Sequence, residues 1–484
     1  MRRKAIWAIA RNTIAQALRI RVAFVIMALY LVLVPLLPVF ARGDGTLRGL
    51  LHVVIAYSII VAGALLGILT LALATTSLWS ELRDKQIYLL EARPIRRWQV
   101  ILGKLLGIMA INAGLMVFMG IVTWASVQVI VRQKRWDEKG ASGKSLWEHT
   151  ERRLALKRVL VARKIVKPKP PPQEEIDRFL KATLDARCKE LERRGKMPPG
   201  GREEVRKRLL EKYHKIVNAV GPAMGRRWEF VGLDVPRRRN VTLTLRFKYN
   251  SSDTRSLEPD HVRWEFGAVR DDQKPDERPS VYRYDATFTP DETHEVEFPA
   301  DAVDGKGRLE VRFYNFEPRR PTLIFPQDEG VAILVPVGSF AGNLARGMLI
   351  VFFEVLFVAA LGLFCSSFLT FPVSPIVALS ILLLVFLSSF VTTAFEEGLE
   401  FDQTRESKFA VAAEKFTRAV AYATSVIMPP FSRYKPSDRV SYGEDVSWLT
   451  VGQAALVIGL VYGGALLLLS VLIFERRELA LAQR

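Results

Sequence analysis

The chain has 484 residues, half of them hydrophobic, and a formal net charge of +19. Spread evenly, that composition would suit a large soluble basic protein, but the apolar residues fall in blocks and exclude an even mixture. Two cysteines, Cys188 in a polar region and Cys365 in an apolar one, give no disulfide framework, and five scattered histidines form no HExxH pattern.

The first 21 residues, "MRRKAIWAIARNTIAQALRIR", lack a short apolar core followed by small-residue cleavage chemistry, so they are not read as a cleavable signal. Ile6, Ile9, Thr13, Ala17 and Ile20 recur at three- and four-residue steps. That spacing suits a helix lying in the membrane interface, and a plain basic flank fits as well. Six apolar blocks follow, at 22–41, 51–79, 105–131, 347–370, 373–394 and 449–474. A bilayer crossing takes about 20 helical residues, whose backbone hydrogen bonds close within the segment. Blocks four and five are separated by "FPVSP", where Pro372 and Pro375 favour a tight turn. The expected fold is an α-helical integral membrane protein with six transmembrane helices.

Between the second and third blocks lies "WSELRDKQIYLLEARPIRRWQVILGK", residues 79–104, with six Lys/Arg and three Asp/Glu. Basic residues in short loops and flanks favour the cytoplasm. The N-terminal flank, the 80–104 stretch and the mildly basic end "FERRELALAQR" all carry that signal. Six spans then put both termini inside, the loop 80–104 inside and the loop 395–448 outside. The long insert 132–346 falls outside. Residues 132–225 are strongly basic, which by itself points the other way, but long domains translocate largely regardless of charge.

The insert between spans three and four reads as two parts. Residues 132–227 are basic and helical: Ile176, Phe179, Leu180, Thr183, Leu184 and Leu191 share one helical face, as do Val205, Leu209, Tyr213, Ile216 and Val220. Such a pair suits a solvated charged hairpin better than a surface for nucleic acid, and no nucleic-acid partner is expected. Over 228–340 the period changes to two. "VTLTLRFKY", "VYRYDATF", "HEVEF", "RLEVRFYNF" and "VAILVPV" alternate or run apolar between turn signals, which predicts a β-sandwich. The insert is thus an extracytoplasmic α+β region, and residues 341–484 carry spans four to six.

No motif argues for catalysis, and no cofactor is expected on this chain. "GASGKS" at 140–145 ends like a phosphate-binding loop, but position 138 is Glu138 where that loop needs glycine. Glu354 is a lone carboxylate deep in the fourth span, where it must face protein or water. It reads equally as a substrate or partner contact and as a structural hydrogen bond. Asn112 and Gln128 in the third span read as contacts between helices.

The 79–104 stretch resembles the cytoplasmic coupling segment of type 2 ABC transporter permeases. In that family the loop has an acidic start, a leucine pair, a proline, an arginine, and glycine-lysine opening the next span. Here Glu81, Leu89 and Leu90, Pro94 with Ile95, Arg97, and Gly103 with Lys104 match. Lys85 and Gln86 stand where the family often has Gly-Thr. "GSFAGNLARGMLIVFFEVLFVAALGLFCSSFLTFPVSPIVALSILLLVF" looks like the family's fourth and fifth spans, and "MPPFSRYKPSDRVSYGEDVSW" like its last external loop. The resemblance covers residues 1–131 and 338–484 and is nearest to permeases grouped with copper-enzyme-maturation and gliding-motility exporters. It implies a permease of the bacterial cytoplasmic membrane that pairs with a second, identical or related, permease subunit. ATP and Mg would be held by a separate cytoplasmic ATPase, contacted through Glu81, Arg83, Asp84, Gln86, Leu89, Leu90, Pro94, Arg97 and Lys104. The competing reading is a membrane-anchored extracytoplasmic binding or sensor protein without transport.

Overall fold

The computed structural model describes residues 2–19, 21–40, 46–83, 96–133, 156–194, 197, 201–235, 241–252, 259–267, 281–316, 321–326, 330–396 and 428–476. The chain divides into two compact units, residues 1–162 with 338–484, and residues 163–337.

The first unit is helical. It contains α1 (Arg2–Arg19), α2 (Val22–Phe40), α3 (Leu47–Arg83), α4 (Arg97–Val131), α7 (Phe340–Phe368), α8 (Val373–Glu396), the short α9 (Pro436–Ser441) and α10 (Trp448–Arg476). Among the described residues, α2, α3, α4, α7 and α10 are long and apolar enough to cross a membrane. The expected fifth span corresponds to α8, whose described apolar part, Val373–Leu387, is shorter. One apolar core runs through the unit and includes Leu51, Val54, Ile108, Met119, Ile350 and Leu363.

Close approaches fix how these helices run. A Cβ on Gly63 would touch Val351, and one on Gly362 would press on Ala74, so α3 and α7 are parallel. Ser470 Oγ donates to Leu363 O at 3.3 Å and Gly459 packs on Phe353 and Leu356, so α10 is parallel to both. By contrast α4 is antiparallel to α3: Lys104 reaches Ser77, while Asn112 reaches Thr70. The ends of α3, α7 and α10 therefore gather where α4 begins, and Trp79 meets Phe371 there with the rings tilted, centroids 5.1 Å apart. At the opposite end, Asn343 at the start of α7 clasps the segment before α10: its Nδ2 donates to Glu444 O at 2.7 Å, and its Oδ1 accepts from Val446 N at 2.8 Å. Arg346 pairs with Asp445 beside that clasp at 2.8 Å.

The second unit is α+β. Its helical hairpin, α5 (Gln173–Arg193) and α6 (Gly201–Val217), buries Ile176, Leu180 and Tyr213 against Phe179 and Leu209, as the spacing predicts. Two four-stranded sheets pack face to face. One has the order β1 (Val161–Val166), β11 (Val331–Ser339), β4 (Thr242–Phe247), β8 (His294–Pro299). The other has the order β3 (Gly225–Phe230), β9 (Leu309–Asn315), β6 (Asp260–Gly267), β7 (Tyr282–Phe288). A small third sheet joins β2 (Ala219–Val220), β10 (Leu323–Ile324) and β5 (Asn250–Ser251). Alternate residues meet between the large sheets: Phe247 lies 4.6 Å from Trp264 and Phe266 stacks on Phe298 at 4.4 Å. Two expectations need correction. The segment expected to be helical contains β1, because the β-branched and apolar residues of "VARKIV" pair into the sheet. Val220 is not on a helix but in β2, buried in the sandwich core.

Candidate functional site

The end of the helical unit where α3 stops and α4 starts is the place the sequence singles out. Of the expected coupling residues, Asp84, Gln86, Leu89, Leu90 and Pro94 lie outside the described residues. Glu81 and Arg83 fall in the last turn of α3, with side chains outside the described set. Arg97 and Lys104 are not in a loop: they belong to α4, which starts about two turns earlier than the apolar run suggests. The extra turns form because Gln99 Oε1 accepts from the Arg96 backbone N–H at 3.1 Å, satisfying a donor at the helix start.

Both cations are turned toward the chain itself. Arg97 Nη1 donates to the carbonyls of Phe474 (2.9 Å) and Glu475 (3.1 Å), in the last turn of α10, and its guanidinium lies 5.9 Å from the Phe474 ring. Lys104 is fully buried, and its Nζ donates to Ser77 O at 2.8 Å near the end of α3. Helix C-termini carry partial negative charge on carbonyls that lack intrahelical donors, so the Arg97 cation at the last turn of α10 is favourable by about 0.3–1 kcal/mol. The start of α4 is thus stitched to the ends of α3 and α10. Those partners are separated from Arg97 by 377 and 378 residues, which is why no local spacing announced them.

Further into the unit sit the polar residues of the apolar runs. Asn112 is fully buried, and its Nδ2 donates to Thr70 Oγ1 at 2.8 Å, the contact between helices its position suggests. Its Oδ1 has no hydrogen-bond partner among the described residues. Glu354 is half-buried near the middle of α7, and no hydrogen bond or ion pair is found for it among the described residues. A second polar contact went unread in the sequence: Tyr30 of α2 donates to Ser58 O at 3.0 Å and meets Thr123 Oγ1 at 2.8 Å, joining α2, α3 and α4. The hydroxyls of Tyr30 and Thr123 inside apolar runs were the available signal.

"GASGKS" lies outside the described residues. No group of three or more His, Cys, Asp or Glu placed to hold a metal ion occurs among the described residues. No protein-family model, curated protein or solved structure matches the chain.

Proposed function

We propose that this chain is the membrane subunit of an ATP-driven exporter, of the type 2 ABC permease kind that its sequence resembles. A separate cytoplasmic ATPase would hold ATP and Mg, and a second permease subunit, identical or related, would complete the path across a bacterial cytoplasmic membrane. The observation that supports this most is the gathering of α3, α4, α7 and α10 at the end that carries the charged 84–96 stretch. A force applied to that stretch enters α3 and α4 through the backbone. It reaches α10 through Arg97, whose two hydrogen bonds fix the spacing of the helix ends. The parallel run of α3, α7 and α10 also agrees with the alternation that six crossings require.

The test is affinity purification of the full chain from its native membrane in mild detergent. An ABC ATPase should copurify in near-stoichiometric amount. A preparation that retains the fold but brings no ATPase sinks this reading and leaves the binding or sensor protein.

A further inference from the structure

The helical unit carries a groove of about 500 Å³ between α4 and α7. Its walls include Ala113, Gly120 and Trp124 on α4 and Ala341, Ala345 and Phe352 on α7. Both sets recur at four- and seven-residue steps, so each occupies one helix face. Small side chains make the space: a Cβ on Gly120 would find no atom within 4 Å. The groove opens outward, since Val117 and Ile121, which also line it, are exposed. Its lining is almost wholly apolar and offers water or a polar solute no set of partners. Along α4 it runs from Ala113 to Trp124, about 16 Å at about 1.5 Å per residue. That is about half of the ~30 Å hydrocarbon core of a bilayer, the depth of one leaflet. Beyond Trp124 the chemistry changes. Gln128 and Arg132 follow at four-residue steps toward the end of α4, and Arg132 is exposed. No side-chain hydrogen bond or ion pair is found for either among the described residues.

We propose that this groove is a fixed site for one anionic phospholipid of the surrounding bilayer, with an acyl chain between α4 and α7 and the phosphate at Arg132 and Gln128. The apolar walls accept a hydrocarbon chain and would strand a polar group. The groove is as long as one leaflet is deep, so a chain whose head lies at the membrane surface reaches its floor. Trp124, exposed where the apolar wall ends, belongs to the residue type that sits between hydrocarbon and headgroups. The cation above it selects an anionic head over a zwitterionic one. The proposal needs the helical unit to lie in a membrane, which its long apolar helices fit; it does not need the transport reading.

The test uses the full chain in phosphatidylcholine nanodiscs with a minor share of phosphatidylglycerol that carries a photoreactive group in one acyl chain. After irradiation and proteolysis, mass spectrometry should find adducts on 113–124 and 341–352 well above those on Leu383 and Leu384, exposed residues of α8 that sample bulk lipid. Unlabelled phosphatidylglycerol should displace the groove adducts, and added phosphatidylcholine should not. Arg132→Gln should weaken that preference about fivefold, the loss of one cation at a lipid surface. Gly120→Leu fills the open space and should remove the groove adducts while leaving those on α8. The competition in the parent chain decides the matter if the variants do not fold. Groove adducts no denser than those on α8, equal displacement by the two lipids, or unchanged adducts in Gly120→Leu would each overturn the proposal. So would a disulfide between two copies of the Val117→Cys chain in native membranes without groove adducts, which marks a second copy as the occupant. Failure of the transport reading shows separately, as the absence of a copurified ATPase.

Discussion

Lys104 and Glu354 are two ionisable groups set in the helical unit with different surroundings. The ammonium of Lys104 donates to a backbone carbonyl of the neighbouring helix, while no hydrogen bond or ion pair is found for Glu354 among the described residues. In the sheet unit, charges are paired instead. Glu295, almost wholly buried, is approached by Arg246 at 3.4 Å and Arg163 at 3.5 Å. Removing one member of a buried ion group strands the others, so Glu295→Ala should destabilise the unit by about 3–5 kcal/mol. Chemical denaturation followed by tryptophan fluorescence should register this, since Trp228 and Trp264 sit in that core; an unchanged midpoint would contradict it. Asp304 opens the "DGKG" turn before β9. Burial works to raise its carboxyl, but the N–H groups of Arg308 (2.7 Å) and Lys306 (2.9 Å) and the Arg308 guanidinium (2.8 Å) outweigh it and hold it below the usual carboxylate range. A carboxyl lowered in the folded state stabilises above its unfolded value, and that stabilisation is lost as pH falls through the folded value. Asp304→Asn should therefore cost about 0.5–1 kcal/mol near neutral pH, the scale of a surface pair, and lose less melting temperature than the parent between about pH 6 and about pH 3. Parallel acid profiles for the two proteins would refute the assignment.

Among the helices, α1 is held to α4 by small residues. A Cβ on Gly103 would meet Ile9 at 2.8 Å, and one on Gly107 would meet the Ala10 carbonyl at 2.7 Å. Ile9, Ala10, Thr13 and Ala17 form the buried face of α1, three of them on the stripe that the sequence displays. Gly107→Leu has no room there, and overpacking costs about 1–3 kcal/mol. Trypsin should then cut after Arg11 and Arg19 faster than in the parent; equal cutting would mean α1 is held elsewhere. Arg97→Met removes both hydrogen bonds to the end of α10. Losing a charged donor from a half-exposed site should cost about 1 kcal/mol and speed amide exchange over 470–476 roughly fivefold. Exchange rates left unchanged would show that Arg97 does not hold α10. The apolar runs made the helices legible, since length and hydropathy are local properties. Their ends were not: charge marked 97–104 as loop, whereas Gln99 caps a helix there and Lys104 is buried by a partner from α3. Strand β1 was missed for a related reason. Its register belongs to the sheet it joins, and two of its six residues are basic. Val220 was misread because a two-residue strand next to a helix continues the helical spacing of its apolar face.

For the molecule as a whole, the arrangement of helix ends carries the functional reading. Helices α3, α7 and α10 end on the side where α4 begins, and the start of α7 and the segment before α10 are clasped together on the other. Of the candidate site, the sequence displayed the charges and their order but not their partners, because Arg97 finds its acceptors on the last helix and Lys104 its acceptor on α3. The direct measurement is site-specific photocrosslinking in native membranes, with a photoreactive amino acid at Gln86 and, in a second protein, at Asp304. The account requires a crosslink from Gln86 to an ABC ATPase and none from Asp304. A crosslink from Asp304, or none from Gln86 in a correctly inserted chain, would contradict it.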